Sequence, residues 1–179
     1  MNIFVIGCGR WGSLITWYLD HIGHHVTRMQ SFLGTRQNDL LTLPESVGLT
    51  TDLRDVEQAE VVIISIGSQS LRALLAEAPM QALRNKTVVL CMKGLEMGTG
   101  ERLSVIAGEL LHPSCTVAVW LGPGHVQEFY RGIPNCMVID SENEQVKRRL
   151  VQAFSSDLIR FYYGGDMIGN EVGAAAKNV

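Results

Sequence analysis

The residues Gly7-Cys8-Gly9-Arg10-Trp11-Gly12 follow directly on the apolar run Ile3-Phe4-Val5-Ile6. A strand that empties into a glycine turn, with a helix starting at once, leaves few folds open to a chain. Each glycine has a distinct physical use. Gly7 permits the tight turn, Gly9 leaves the backbone bare for a pyrophosphate, and Gly12 lets the new helix pack close to the strand. The first turn of that helix offers unpaired N–H groups and the positive end of a dipole to an anion. An apolar helix, Leu14 to Ile22, comes next, and then a second strand over His25–Met29. The unit closes within about 30 residues, the length of a βαβ crossover. A strand–turn–helix that binds nothing is the alternative, but the placement of the turn favours a dinucleotide.

Short β-branched runs alternate with helical patterns along the rest of the chain. Strands are predicted at 2–6, 25–29, 60–65, 87–92, 116–120, 135–139 and 158–162, with a further short one near 48–50. Helices are predicted at 10–22, 52–58, 69–84, 99–111, 124–131, 142–154 and 167–178. Thr51 or Asp52 could cap the helix after it, and Ser68 the next. Val61-Val62-Ile63-Ile64 and Thr87-Val88-Val89-Leu90 are apolar on both faces, as central strands of a covered parallel sheet are. Residues 31–46 hold Gly34, Asn38 and Pro44 and read mostly as loop. The class is α/β: a doubly wound, mostly parallel sheet of the Rossmann type, with ligands expected at the carboxyl ends of its strands. Residues 1–165 form that domain. Residues 166–179 read as an Ala-rich helix without a stop signal, as if leading into an absent helical domain.

The 179 residues are 46% hydrophobic, enough for one core, and the net charge of −3 gives no reason to expect nucleic acid or an anionic membrane as partner. No apolar run approaches the ~20 residues of a membrane helix, and no secretory leader is legible at the start. Cys8, Cys91, Cys115 and Cys136 are far apart and form no C-x-x-C. They read as reduced thiols in a cytoplasmic protein rather than a disulfide or metal framework. His21, His24 and His25 cluster at a helix–strand junction, where a surface turn explains them better than a metal site.

Three places could carry chemistry. Gly169, Gly173 and Lys177 are spaced by four and share a helix face. Two glycines on that face cost helix stability and leave room for close approach, with Lys177 reaching across; simple packing, with the lysine extended to water, is the alternative. Lys93 follows the strand at 87–92, where α/β sheets place ligands, although a solvated loop lysine would look the same. Leu121-Gly122-Pro123-Gly124-His125 also leaves a strand for a helix, as an anion cradle or a tight turn.

Taken in order, Gly7-Cys8-Gly9-Arg10-Trp11-Gly12, Lys93-Gly94-Leu95-Glu96, Gly122-Pro123 and Glu171-Val172-Gly173 through Lys177-Asn178-Val179 closely resemble the NAD(P)-dependent glycerol-3-phosphate dehydrogenases of the bacterial soluble type. The resemblance covers this whole chain and the amino-terminal half of the family. It implies hydride transfer between NAD(P)H and dihydroxyacetone phosphate to give sn-glycerol 3-phosphate, a phospholipid precursor. It implies that Arg10 and Trp11 line the dinucleotide with Gly7, Gly9 and Gly12, that Ser31 stands at the family's basic or polar position after the second strand, and that Val126 contacts the cofactor. Lys93 would touch cofactor and substrate, Gly122, Gly124 and Asn178 would lie against substrate, and Lys177 would be the proton acceptor. A homodimer is implied where the second domain is present. Three positions depart from the family pattern. Leu121 replaces a serine, Gly124 a polar residue and Val126 an alanine.

An NAD-specific site of this fold usually ends its second strand on Asp or Glu. Here that stretch is Arg28-Met29-Gln30-Ser31. The absence of a carboxylate leans the choice to NADP and leaves NAD open. Arg28 could accept a 2′-phosphate or turn away within the strand. Two other classes stay in view: a related dehydrogenase acting on another small acid, and a dinucleotide-binding module without turnover.

Overall fold

The structure is a computed structural model, and it describes residues 1–30 and 36–177. Eight strands form one sheet: β1 (Asn2–Ile6), β2 (His25–Met29), β3 (Gly48–Thr50), β4 (Val61–Ile64), β5 (Thr87–Leu90), β6 (Thr116–Leu121), β7 (Asn135–Asp140) and β8 (Ile159–Tyr163). Their order is β3-β2-β1-β4-β5-β6-β7-β8. All neighbours are parallel except β6 and β7. The chain winds outward from β1 in both directions, so β1 and β4 lie side by side at the switch of direction, with Ile6 paired to Ile64 at their carboxyl ends. Ligands of doubly wound sheets bind at that switch.

Strand alternation divides the core. Ile3 and Val5 of β1 face one cluster with Leu14, Tyr18, Trp120 and Phe154, while Phe4 and Ile6 face another with Val62, Leu71, Val88 and Ile106. Both faces of the central strands are thereby covered, which is why β4 and β5 lack polar alternation. Helix α1 (Arg10–His21) buries Leu14, Ile15, Tyr18 and Leu19, a stripe at helical spacing. The Tyr18 hydroxyl donates to the Phe154 carbonyl at the end of α6 (Glu144–Phe154). Burial pushes that phenol up to about 12, so it remains a donor.

Several elements differ from the sequence reading, each for a local reason. The helix expected over 69–84 is a 3₁₀ turn at Ser68–Ser70 and two short helices, α2 (Leu71–Leu75) and α3 (Ala78–Gln81). Pro79 lacks an N–H, and it sits in the first turn of α3 where none is needed. Ser68 lies within the 3₁₀ turn and does not cap it; Gly67 holds that position. Residues 52–58 form a 3₁₀ helix, Leu53–Gln58, capped by Asp52, whose carboxylate accepts from the Arg54 N–H at 2.9 Å. Helix α4 begins at Leu103 and ends at Leu110, because Gly98 and Gly100 hold positive φ and the preceding stretch is a turn. Helix α5 is a short Val126–Tyr130. Of the stretch read as loop, residues 36–46 are irregular as expected, yet they bury Leu41 and Leu43 in the core. His24 is half-buried rather than a free surface residue: its Nε2 lies 2.9 Å from the Ala153 carbonyl and its ring meets Phe154 edge-on. Among the described residues no helix is long and apolar enough to cross a membrane.

The last helix, α7 (Met167–Ala176), leaves the edge strand β8 and packs back on β6. The antiparallel step from β6 to β7 decides this route. It reverses β7 and β8 relative to the other strands, so a helix after β8 runs toward the carboxyl ends of β1, β4 and β5.

Candidate functional site

Gly7 has φ +131°, and a Cβ there would stand 2.0 Å from the Ser65 carbonyl oxygen beyond β4. A Cβ on Gly12 would stand 2.3 Å from the Gly7 oxygen. The first glycine is thus required by the turn and the neighbouring strand, and the third by helix packing. Gly9 is different: no described atom lies within 4 Å of where its Cβ would be, and it caps α1 with no side chain over the exposed N–H groups. A bare backbone, open space and a helix start converge there.

Two hollows of about 390 Å³ meet at Gly9 and Ser65. One lies against the ends of β1 and β2, with Met29, Gln30 and Gly67 on its wall. The other lies against β5 and β6, with Trp11, Lys93, Gly122 and Met137. Together they form a trough across the switch of strand direction. A larger hollow of about 790 Å³ lies between the first turns of α4 and α6 and holds none of the residues read as functional from the sequence.

Lys93 stands three residues past the end of β5 and is partly buried. Burial lowers its amine below the usual lysine range, and the positive charge of Lys177 lowers it further. The structure therefore brings the two lysines, 84 positions apart in the chain, into electrostatic range. The Lys177 amine also donates to the Pro123 carbonyl at 3.3 Å, in the turn after β6.

The helix that carries Lys177 is fastened at neighbouring residues. Glu171 is 6% exposed and accepts from the Ser104 N–H at 2.9 Å, the Ser104 hydroxyl at 2.5 Å and Arg102 at 2.8 Å. Asn170 donates to Asp140 Oδ2 at 2.8 Å. Asp140 is buried, with the Lys147 amine 3.4 Å from its other oxygen, and that amine also donates to the Gly164 carbonyl at 2.7 Å. Of the glycines read as shaving this helix, Gly169 is crowded by its own capping residue, with Asp166 Oδ2 at 2.4 Å from its Cβ position, while Gly173 faces open space.

The remaining sequence candidates fall as follows. Arg10 is exposed and pairs with Asp39 at 2.9 Å. Trp11 packs its ring 5.9 Å from Phe129. Gly122 has φ +155°, with Met137 Sδ 2.7 Å from its Cβ position. At Gly124 a Cβ would strike the Phe129 ring at 2.1 Å, which gives the departure from the family's polar residue a packing cause. Val126 opens α5, is partly buried, and packs against the core rather than on the trough wall. Ser31 and Asn178 lie outside the described residues. Arg28 takes the inward of its two options: it is 4% exposed and donates to Ser13 Oγ at 2.8 Å and Gln30 Oε1 at 2.9 Å. Sequence reasoning missed Ser65, Gln30, Asp140 and the anchoring role of Asn170 and Glu171. Ser65, Gln30 and Asp140 lie outside the glycine and lysine motifs, and the partners of Asn170 and Glu171 (Asp140, Arg102 and Ser104) are too far along the chain for spacing to show.

A sequence profile describing the NAD-dependent glycerol-3-phosphate dehydrogenase N-terminus matches residues 2–147. The chain belongs to that family. Among curated proteins, a glycerol-3-phosphate dehydrogenase (NAD(P)+) of a Thermoanaerobacter species is 32% identical over all of this chain and 57% of its own length. The enzyme of the same name from Parvibaculum lavamentivorans is 30% identical over 99% of this chain and 56% of its own. The chain thus spans little more than half the length of the relatives it matches, aligned with their amino-terminal part. Of solved structures, glycerol-3-phosphate dehydrogenases from Coxiella burnetii (TM-score 0.86, 22% identity, 99% of this chain and 57% of that one) and Plasmodium falciparum (TM-score 0.88, 15% identity, 99% and 56%) share the fold. The doubly wound sheet read from the glycine turn is the family's amino-terminal fold.

Proposed function

We propose that this chain is the cofactor-binding and proton-handling part of an enzyme that interconverts dihydroxyacetone phosphate and sn-glycerol 3-phosphate with NADPH or NADH. The observation that supports it most is the trough, with a bare Gly9 backbone at its centre and the Lys93–Lys177 pair at one end. The residues fit a dinucleotide. Gly9 leaves the space a pyrophosphate needs, the first turn of α1 supplies N–H donors, and the two hollows offer room on either side for the two nucleoside halves. When bound, the nicotinamide supplies the hydride. Lys177 gives the ketone oxygen its proton as charge develops there, and takes it back in the reverse direction. Lys93 holds the substrate and the nicotinamide end by charge, and its cation keeps a second positive group beside the developing oxyanion. Gly122 and Gly124 keep the turn after β6 low so that substrate can lie against it, with Asn178 beside the lysine. Arg10 and Trp11 line the dinucleotide in this reading.

The part of the relatives beyond this chain would complete the phosphate site and the homodimer, with the division falling near residue 165. The setting is cytoplasmic. Calorimetric titration with NADPH and NADH tests the cofactor half. Binding is expected, and Gly9→Val should abolish it while the fold survives, because the side chain enters open space. Equal binding by both proteins would overturn the assignment. With dihydroxyacetone phosphate, this chain alone should turn over little or nothing, since the substrate's two negative charges lack partners from the second half.

A further inference from the structure

Lys93-Gly94-Leu95-Glu96 puts an amine and a carboxylate three residues apart, yet the structure draws them to different faces of the sheet. Lys93 is on the trough wall with Trp11 and Trp120, which pack in the first core cluster. Glu96 is drawn to α2, whose Leu71 and Leu75 pack in the second. Arg72 of α2 donates to Glu96 Oε1 through Nε at 2.8 Å and to Oε2 through Nη2 at 2.9 Å, a paired guanidinium–carboxylate contact. The Thr99 hydroxyl adds a bond to Oε2 at 2.8 Å. These bonds push the Glu96 carboxyl down to about 2, so it is an anion at neutral pH. On the preceding 3₁₀ turn, Gln69 clamps the main chain of the same loop. Its Oε1 accepts from the Met97 N–H at 2.8 Å and its Nε2 donates to the Leu95 carbonyl at 2.9 Å. Gly94 makes the bend between the two directions, with φ +121°. Among the described residues no carboxylate lies within ion-pair distance of the Lys93 amine; burial and the charge of Lys177 act on it instead.

We infer that Arg72 is a positioning residue for Lys93: by holding Glu96 against α2 it keeps the motif's own carboxylate off the amine, and leaves Lys93 an unpaired cation at the end of the trough. The use to which that cation is put rests on the dinucleotide reading above. A Lys93–Glu96 pair would cancel much of the positive charge offered to an anionic cofactor or substrate. A guanidinium suits the task because its planar fork engages both carboxylate oxygens at once, which an ammonium does not. Gln69 completes the arrangement. With Leu95 and Met97 fixed, the loop cannot carry Glu96 back toward the trough. The glutamate of the motif thus has its own partner outside the site, in a helix 24 positions earlier in the chain.

The test reads the amine directly. The chain has only the lysines Lys86, Lys93, Lys147 and Lys177, so isotope-labelled reductive methylation gives few NMR signals, and Lys93→Arg identifies the one required. The signals are followed against pH in the unsubstituted chain, Arg72→Met, Glu96→Gln and the double variant, beside thermal unfolding and calorimetry with NADPH. Arg72→Met should raise the pKa of the Lys93 amine, because the freed carboxylate favours the ammonium. It should also weaken NADPH binding about threefold or more. Adding Glu96→Gln should reverse most of both changes, which loss of packing alone would not do. Glu96→Gln by itself should leave the amine where it is, since the carboxylate is already held away; it decides the matter if Arg72→Met does not fold. An unmoved amine or unchanged NADPH binding in Arg72→Met, a rise that persists in the double variant, or a fall in Glu96→Gln overturns the role of Arg72. Failure of the unsubstituted chain to bind NADPH overturns the dinucleotide reading instead, and the amine titration still decides whether Arg72 keeps Glu96 off Lys93.

Discussion

The Cβ that any residue but glycine would carry at position 124 falls 2.1 Å from the ring of Phe129, five residues on. Phe129 is wholly buried and the ring cannot retreat without disturbing Trp11, against which it packs. Restoring the family's polar residue with Gly124→Thr should therefore destabilise the chain by roughly 1–3 kcal/mol, the range for overpacking. Denaturant titration of Gly124→Thr, Phe129→Leu and the pair checks this. The double variant should lose less than the sum of the single losses. Additive losses would mean that the two positions do not meet.

Glu171 ties α7 to the first turn of α4 through three hydrogen bonds, and its loss leaves the Ser104 N–H and Arg102 without their acceptor. Glu171→Ala should cost about 2–4 kcal/mol. Hydrogen exchange over residues 167–177 should accelerate more than over β1 and β4. Uniform acceleration would point to global loss rather than release of the helix.

The two lysines should separate kinetically in an assembly that turns over. Lys177→Met should lower kcat and kcat/KM together by about 10²-fold or more, as loss of a proton-handling group does. Lys93→Met should raise KM and weaken cofactor binding. Wild-type kcat in Lys177→Met would reduce that lysine to its contact with the Pro123 carbonyl.

His24 has a lowered pKa, first because it is buried, against the opposing bond to the Ala153 carbonyl. Its folded value lies below the unfolded value of about 6.5, so the unfolded chain binds the proton more readily. Its contribution is present above that unfolded value and is lost as pH falls from there through the lower folded value. Stability measured from pH 7.5 to 5 should fall more steeply in the unsubstituted chain than in His24→Gln. Parallel curves would remove His24 from the account.

The glycine turn, the order of strands and helices, and the positions of Lys93 and Lys177 were legible because each has a local cause: a periodicity, a turn residue or a strand end. The broken helix over 69–84 was also written locally, in Pro79, but apolar periodicity ran through it and masked the break. Gln30 and Asp140 were not legible. A buried glutamine looks in sequence like a surface residue of a strand end, and only the inward turn of Arg28 reveals what holds it. In sequence Gly124 shows only as a departure from the family's polar residue, whereas Phe129 supplies a steric cause that spacing alone does not show.

Helix α7 is fastened at Asn170 and Glu171, and its lysine stands six residues further on. At about 1.5 Å of rise per residue the amine-bearing residue lies about 9 Å beyond the fastening. Its place over the trough is thus a matter of counting. Removing one residue between 171 and 177 would turn the lysine by about 100° and draw it back, whatever the side chains along the way. The outer face of the same helix, where Ile168 and Val172 are exposed, can change composition without moving its tip. The helix works as a gauge of fixed length, and it tolerates substitution far better than insertion or deletion.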